Sequence, residues 1–231
     1  MLITVNSYQP HHDTVRFVCI SDTHGKVHFD IPDGDVLIHA GDMTKRSHID
    51  EFHQTIEWLG SLPHKVKIVT GGNHDILLDT TFGYTEKRQA ILDFMKKHNI
   101  VYLEHEAYQL DSSLGSFRLF VSPYAPMHLG GAFMLDDMSH VWNNVPPVDV
   151  LVTHTPPYGY GDKIMRGGRH VGCQFLRDKI DRIQPQVCVF GHIHEAHGYT
   201  RNEQGQLFIN ACLCDHRYRG NQLPITFDLP I

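Results

Sequence analysis

An α/β fold built on a largely parallel sheet is the class this sequence predicts, and two observations carry it. Apolar, β-branched runs at 15–20, 36–40 and 65–70 alternate with loops and one helix-spaced segment, giving strand, loop, strand, helix, strand. Each run also stops at residues that bear chemistry: Asp22 and His24, then Gly41-Asp42, then Gly72-Asn73-His74-Asp75. Parallel α/β sheets carry their ligands at such strand ends. With 231 residues, 41% of them hydrophobic and 20% charged, the chain can bury a large core. One domain over 1–231 is the expectation.

A polar arm containing His11 and His12 runs to about Thr14 and precedes the first strand, 15–20. The helix at 49–62 follows from Ile49, Phe52, Ile56 and Leu59 at i, i+3, i+7 and i+10. Asp50 and Glu51 sit in its first turn, where the helix dipole favours them, and Pro63 marks its stop. The strand at 65–70 ends at two glycines, so the chain can turn sharply and aim the next side chains into a cleft. A second helix is expected at 85–98, with Ile91, Leu92, Phe94 and Met95 inward. Short strands are expected at 101–103, 107–110 and 117–121.

Residues 122–134, rich in Pro, Gly, Tyr and Met, predict a long surface loop, and the segment around Trp142 has no assignable period. The apolar strand 148–153 releases His154, after which Pro156 and Pro157 forbid helix. Residues 158–172 predict a mobile, basic, glycine-rich loop. A helix at 175–183, a strand at 187–190 and edge strands at 198–200, 207–209 and 225–229 complete the chain.

Several classes of function are disfavoured. A net charge of −6 argues against long nucleic acid as the main ligand, since phosphate-backbone binding rests on Lys and Arg. No apolar run approaches membrane-helix length and the first residues do not read as a secretion signal, so no membrane partner and a cytoplasmic location are expected. The five cysteines are odd in number and read as reduced core residues; Cys212 and Cys214 alone complete no zinc site.

Five strand-end motifs remain: Asp22-Thr23-His24, Gly41-Asp42, Gly72-Asn73-His74-Asp75, His154 and Gly191-His192-Ile193-His194. Side chains two apart on extended backbone point the same way, so Asp22 with His24, and His192 with His194, can each address one site. Asp, Asn and His without thiolate suit divalent ions such as Mn, Fe or Zn. Seven such ligands are too many for one catalytic ion with open positions; they suit two ions sharing a carboxylate. His74 offers a proton near neutral pH, and Asp75 is placed to orient it.

This ordered set resembles the calcineurin-like metallophosphoesterase superfamily, whose pattern is Asp-x-His, Gly-Asp, Gly-Asn-His-Asp/Glu, His and Gly-His-x-His. The likeness runs from Phe17 to about Asn210. More narrowly, residues 31–42, 58–65 and 227–230 are similar to the metallophosphoesterase-domain-containing proteins of animals and their microbial relatives. Some of that group have Gly where this chain has His192, so the resemblance implies a full dinuclear centre here. It further implies a four-layer αββα sandwich. Asp22, His24 and His194 would hold one metal and Asn73, His154 and His192 the other, with Asp42 bridging and His74 catalytic.

The function expected from this is a metal-dependent phosphodiesterase acting on nucleotide-sized substrates, with cyclic nucleotides as candidates, through a metal-bridging hydroxide. A phosphomonoesterase or nuclease is the alternative enzyme, and a non-catalytic nucleotide- or protein-binding member is the alternative of another class. Arg169 and His170 are expected as lid contacts to an anionic substrate, and Tyr160, with Tyr158, as a stacking surface for a base.

Overall fold

The computed structural model describes residues 3–6 and 13–231. Most of the expected polar arm, with His11 and His12, lies outside them. Ahead of Thr14 the sequence reading missed a short strand, β1 (Thr4–Val5). Then come β2 (Thr14–Ile20), β3 (Val36–His39), α1 (Ile49–Ser61) and β4 (Val66–Val69). α2 (Thr85–Lys97) leads to β5 (Val101–Tyr102), β6 (Glu106–Gln109) and β7 (Arg118–Ser122). β8 (Ala125–Pro126), β9 (Met134–Leu135) and β10 (Val150–Thr153) precede α3 (Gln174–Ile183). β11 (Val187–Phe190), β12 (Gly198–Arg201), β13 (Leu207–Asn210) and β14 (Ile225–Pro230) follow.

Two six-stranded sheets form, in the orders β1-β14-β2-β3-β4-β5 and β12-β13-β11-β10-β7-β6. In the first, β2 to β5 run parallel and β14 pairs antiparallel with both β1 and β2. In the second, β7, β10, β11 and β13 are parallel, with antiparallel edges at β6 and β12.

The strand period of two explains how these sheets stack. Val15, Phe17 and Cys19 of β2 join Val121, Val150, Val189 and Ile209 in a core between the sheets. Val18 and Ile20 point the other way, into Phe52, Ile56 and Leu59 of α1 and Ile91 and Met95 of α2. On the far face of the second sheet, Leu151 and Phe208 pack on Leu176 and Ile180 of α3. Helix, sheet, sheet, helix is the four-layer order. Because both faces of each parallel sheet are covered, its strands read as continuous apolar runs.

β14 is clamped to β2. Phe17 and Phe227 stack at 4.7 Å between centroids and 3° between planes. Beside them, Arg16 Nε donates to Asp228 Oδ1 at 2.8 Å, and both side chains are buried. Two expectations need correction. Residues 122–134 are not simply a surface loop: β8 pairs with β9, Ala132 and Phe133 are buried, and the Phe133 amide donates to Asp79 Oδ2 at 2.6 Å. Trp142 is buried against the α3 layer although its segment is neither helix nor strand. All five cysteines are free and buried. No helix among the described residues is long and apolar enough to cross a membrane.

Candidate metal centre

β2, β3 and β4 of the first sheet end side by side, as do β10 and β11 of the second, and their end loops meet at one seam. There Leu213, just past β13, donates its amide to the Ser21 carbonyl at 2.8 Å, joining the sheets. Asp22, His24, Asp42, Asn73, His154, His192 and His194 all converge at this place. His194 Nε2 lies 3.1 Å from Asp22 Oδ1 and 3.1 Å from His24 Nε2. His154 Nε2 lies 3.0 Å from Asn73 Oδ1, and the His154 and His192 rings are 5.0 Å apart. Between the two groups sits one oxygen, Asp42 Oδ2, at 3.8 Å from His24 Nε2 and 3.6 Å from His154 Nε2.

Convergence does not arise from extended backbone, as the two-residue spacing suggested. Asp22, His24, Asp42 and His192 all have positive φ, between 48° and 67°. Left-handed backbone at non-glycine residues is costly and persists where surrounding contacts over-determine it. Those contacts are cross-loop: Asp22 and His24 donate their amides to the carbonyls of Gly41 and Asp42, at 2.9 and 3.1 Å. Two glycines are required by space. A Cβ at Gly72 would collide with the Asp42 carboxylate, and one at Gly191 with Asp22 and Ser21.

The residues present fit divalent cations. Nδ1 of His24, His154 and His194 lies 3.2, 2.9 and 2.9 Å from the backbone carbonyls of Thr44, Ala40 and Asp215. A ring that donates from Nδ1 presents its Nε2 lone pair to the centre, the usual preparation of a metal-binding imidazole. His24 and His194 bring their Nε2 atoms to within 3.1 Å of each other beside Asp22 Oδ1, a donor set that one cation can share. The charges agree. Burial, opposed in part by Asp42, pushes His24 down to about 4, and burial with the charge of His154 pushes His192 down to about 3. Burial also works against a charged His194, but the hydrogen bond and charge of Asp22 outweigh it and push that ring up to about 9. Without metal, then, a proton on His194 serves as the countercharge to Asp22.

His74 and Asp75 part company. His74 donates its amide to Asp42 Oδ1 at 2.8 Å, and its Nδ1 lies 2.8 Å from the Lys45 carbonyl. The imidazole is therefore held by Lys45 and not by Asp75. Asp75 is fully buried and accepts from the amides of Met43, Thr44 and Gly72 and from the Thr44 hydroxyl. Burial and the charge of Asp42 push it up to about 7 against those hydrogen bonds. Its work is to lace the Asp42 loop to the Asn73 loop.

Other participants carried no signal in the sequence. Glu51 accepts from the amides of Lys45, Arg46 and His48 at 3.1, 3.0 and 3.0 Å, so it shapes the turn whose carbonyl holds His74. Tyr218 places its ring 4.8 Å from His24 and 5.3 Å from His194. The Cys212 thiol donates to Asp22 Oδ2 at 3.1 Å and the Cys214 thiol points at the Thr23 carbonyl, so the two do not act as a pair.

Residues 15–196 match the family model described as calcineurin-like phosphoesterase. The chain belongs to that family. This calcineurin-like phosphoesterase is a metal-dependent phosphoester hydrolase. It is 40% identical over 233 residues to UPF0046 protein C25E10.12 of Caenorhabditis elegans, covering 94% of this chain and 82% of that protein. It is 37% identical over 235 residues to metallophosphoesterase domain-containing protein 1 of Homo sapiens, covering 93% and 71%. Among solved structures, TT1561 of Thermus thermophilus shares the fold, with a TM-score of 0.54 at 12% identity over 85% of this chain and 88% of that one.

Above the centre of this phosphoesterase lies a cavity of about 690 Å³, bounded by Lys45, Arg46, Tyr218 and the 128–131 turn. The residues expected as lid contacts in 158–172 border a neighbouring cavity. Arg169 and His170, with Met127, Ile164 and Val171, line a second cavity of about 340 Å³ that meets the first at His128 and His192. That loop is pinned: Asp162 accepts from the amides of Gly159 and Gly172 and lies 2.6 Å from His170 Nδ1. Tyr160 lines neither cavity. Its ring stacks on Phe208 at 3.8 Å and carries Arg177 at 4.7 Å, so its π-faces are taken.

Proposed function

We propose that this protein is a phosphodiesterase for nucleotide-sized substrates, cyclic nucleotides among them, working with two divalent cations of the Mn, Fe or Zn type. Asp22, His24 and His194 would hold one cation, Asn73, His154 and His192 the other, and Asp42 would be shared between them. The observation that carries the reading is the single oxygen of Asp42 between the two imidazole groups, at 3.8 and 3.6 Å. Five buried, free thiols fit a reducing, cytoplasmic setting.

Bound cations supply Lewis acidity toward phosphoryl oxygens and lower the pKa of an attacking water. The chain's own residues do the rest. Asp42 and Asp22 set the charge that holds the cations, and the carbonyls behind His24, His154 and His194 fix the rings in the ligating orientation. His74, held at Nδ1 by Lys45, presents Nε2 to the departing oxygen and gives it a proton. A diester has an organic group on each side of phosphorus. The smaller cavity, with Met127, Ile164 and Val171 beside Arg169 and His170, offers one of those groups an apolar bed with a cationic edge.

Turnover by manganese-loaded protein tests this directly. Bis(p-nitrophenyl) phosphate and 2′,3′- or 3′,5′-cyclic nucleotides are to be cleaved faster than p-nitrophenyl phosphate or long single-stranded DNA. Faster cleavage of the monoester makes the protein a phosphomonoesterase. Salt-sensitive cleavage of long DNA alone makes it a nuclease. No turnover of any ester by fully loaded protein leaves it a binding member of the family.

A further inference from the structure

Past Arg46 and Ile76 the main cavity continues into a third, of about 410 Å³, walled by the turn 46–50 and by Tyr84 and Lys87. Arg46, His48 and Lys87 line it against a single acid, Asp50. Tyr84 and Lys87 are exposed, with the Lys87 ammonium 5.4 Å from the Tyr84 ring. Neither Arg46 nor Lys87 has an ion-pair partner among the described residues. Glu51, the acid nearest to Arg46 in the turn, has both carboxylate oxygens committed to the amides of Lys45, Arg46 and His48. It shapes the loop's backbone and, among the described residues, makes no ion pair with the cations on that loop. Ser47 Oγ, accepting from the Leu77 amide at 2.9 Å, fixes the wall between.

In a chain of net charge −6, a groove leading out of a phosphoester site with Arg46 and Lys87 against the one acid Asp50 is a local reversal of sign, and such reversals attract anions. We propose that this groove is a second anion subsite, which takes a phosphate other than the one being cleaved on the same nucleotide. Arg46, lining both cavities, spans the two phosphates, and Lys87 closes the outer end. The apolar cavity at Met127 and Val171 leaves the main one by other residues, so base and second phosphate need not compete. The inference rests on the nucleotide reading above and names its substrate class: nucleotides bearing two phosphate groups.

Calorimetric titration of manganese-loaded protein tests it, with AMP, ADP and adenosine 3′,5′-bisphosphate as probes of short and long phosphate spacing. At least one of the two doubly phosphorylated probes is expected to bind about tenfold tighter than AMP, equal to about 1.4 kcal/mol. In Lys87→Glu that advantage is to fall to about twofold or less, with the AMP constant as internal reference. Equal affinities in the wild type, or an advantage that survives Lys87→Glu, overturns the subsite and leaves the nucleotide reading standing. Failure of all three nucleotides to bind overturns both.

Discussion

The two sheets meet at one site and contribute to it on different terms. The first delivers Asp22, His24, Asp42, Asn73 and His74 from loops laced to one another by main-chain hydrogen bonds and by the carboxylates of Asp75 and Glu51. The second delivers only imidazoles, His154, His192 and His194. Their links to the first sheet run mostly through the rings themselves: His154 to the Ala40 carbonyl and to Asn73, His194 to Asp22 and His24, with the His192 amide donating to Asp22. On the proposed assignment, negative charge and proton transfer belong to one sheet and the other completes the coordination. The difference teaches that geometry is stored in the first sheet and closure depends on what lies between the two.

The sharpest break comes from Asp42→Asn, which is expected to abolish turnover and lower metal content at both positions, read by activity and elemental analysis. Its counterpart on the second sheet, His192→Ala, is expected to lose one ion and keep the other. Equal metal loss in the two variants would erase the contrast between the sheets. Next in size, His74→Ala should slow the reaction on the order of 10²–10⁴-fold with metal content near normal. Loss of metal there would make His74 a ligand, a role its place beside His24 and Asp42 permits.

Glu51→Ala touches neither metal nor substrate and tests whether the lacing matters. Releasing three amides frees the Lys45 carbonyl, and kcat should fall about 10–100-fold, the range for outer partners of a metal site. KM and thermal stability are to change little by comparison; a fall in stability alone would make Glu51 a helix cap and nothing more.

Proton linkage probes the contact between sheets. With His194 pushed up to about 9 beside Asp22, the metal-free ring is charged at pH 7 and must lose its proton to bind a cation. The sign is therefore fixed: metal affinity rises between pH 7 and 9, by about tenfold per unit for one proton, and levels above. Calorimetry in buffers of different ionisation enthalpy reads the proton released, and a flat profile would remove the Asp22–His194 pair from the account. The smallest effect is expected at Tyr160→Ala, where KM for a nucleotide should stay within about twofold, because the ring is stacked in the α3 layer.

What the sequence made legible was chemical identity at strand ends. Seven donors at five apolar run-ends could be picked out because Asp, Asn and His there are conspicuous against Val and Ile. The helix at 49–62 was legible by its period and ends one residue sooner. What stayed hidden was backbone: the left-handed turns at Asp22, His24, Asp42 and His192 leave no trace in residue type, and neither does a carbonyl such as that of Lys45. Asp75 was read as a partner of the adjacent imidazole because nothing in a sequence shows which amides a buried carboxylate will meet. Tyr160 looked available because its stacking partner, Phe208, lies far along the chain in β13.

β14 lies between β1 and β2, and it is made after every residue of the metal centre. During synthesis the second sheet's strands and all seven candidate ligands emerge while β2 still has a bare edge where Phe227 and Asp228 will dock. A nascent chain at that stage carries an open strand edge, a template for pairing with other chains. The sheet beneath the site can therefore close only once residues 225–230 have been made. A chain stopped at residue 224 would keep every candidate ligand and still lack the strand that closes the sheet beneath them.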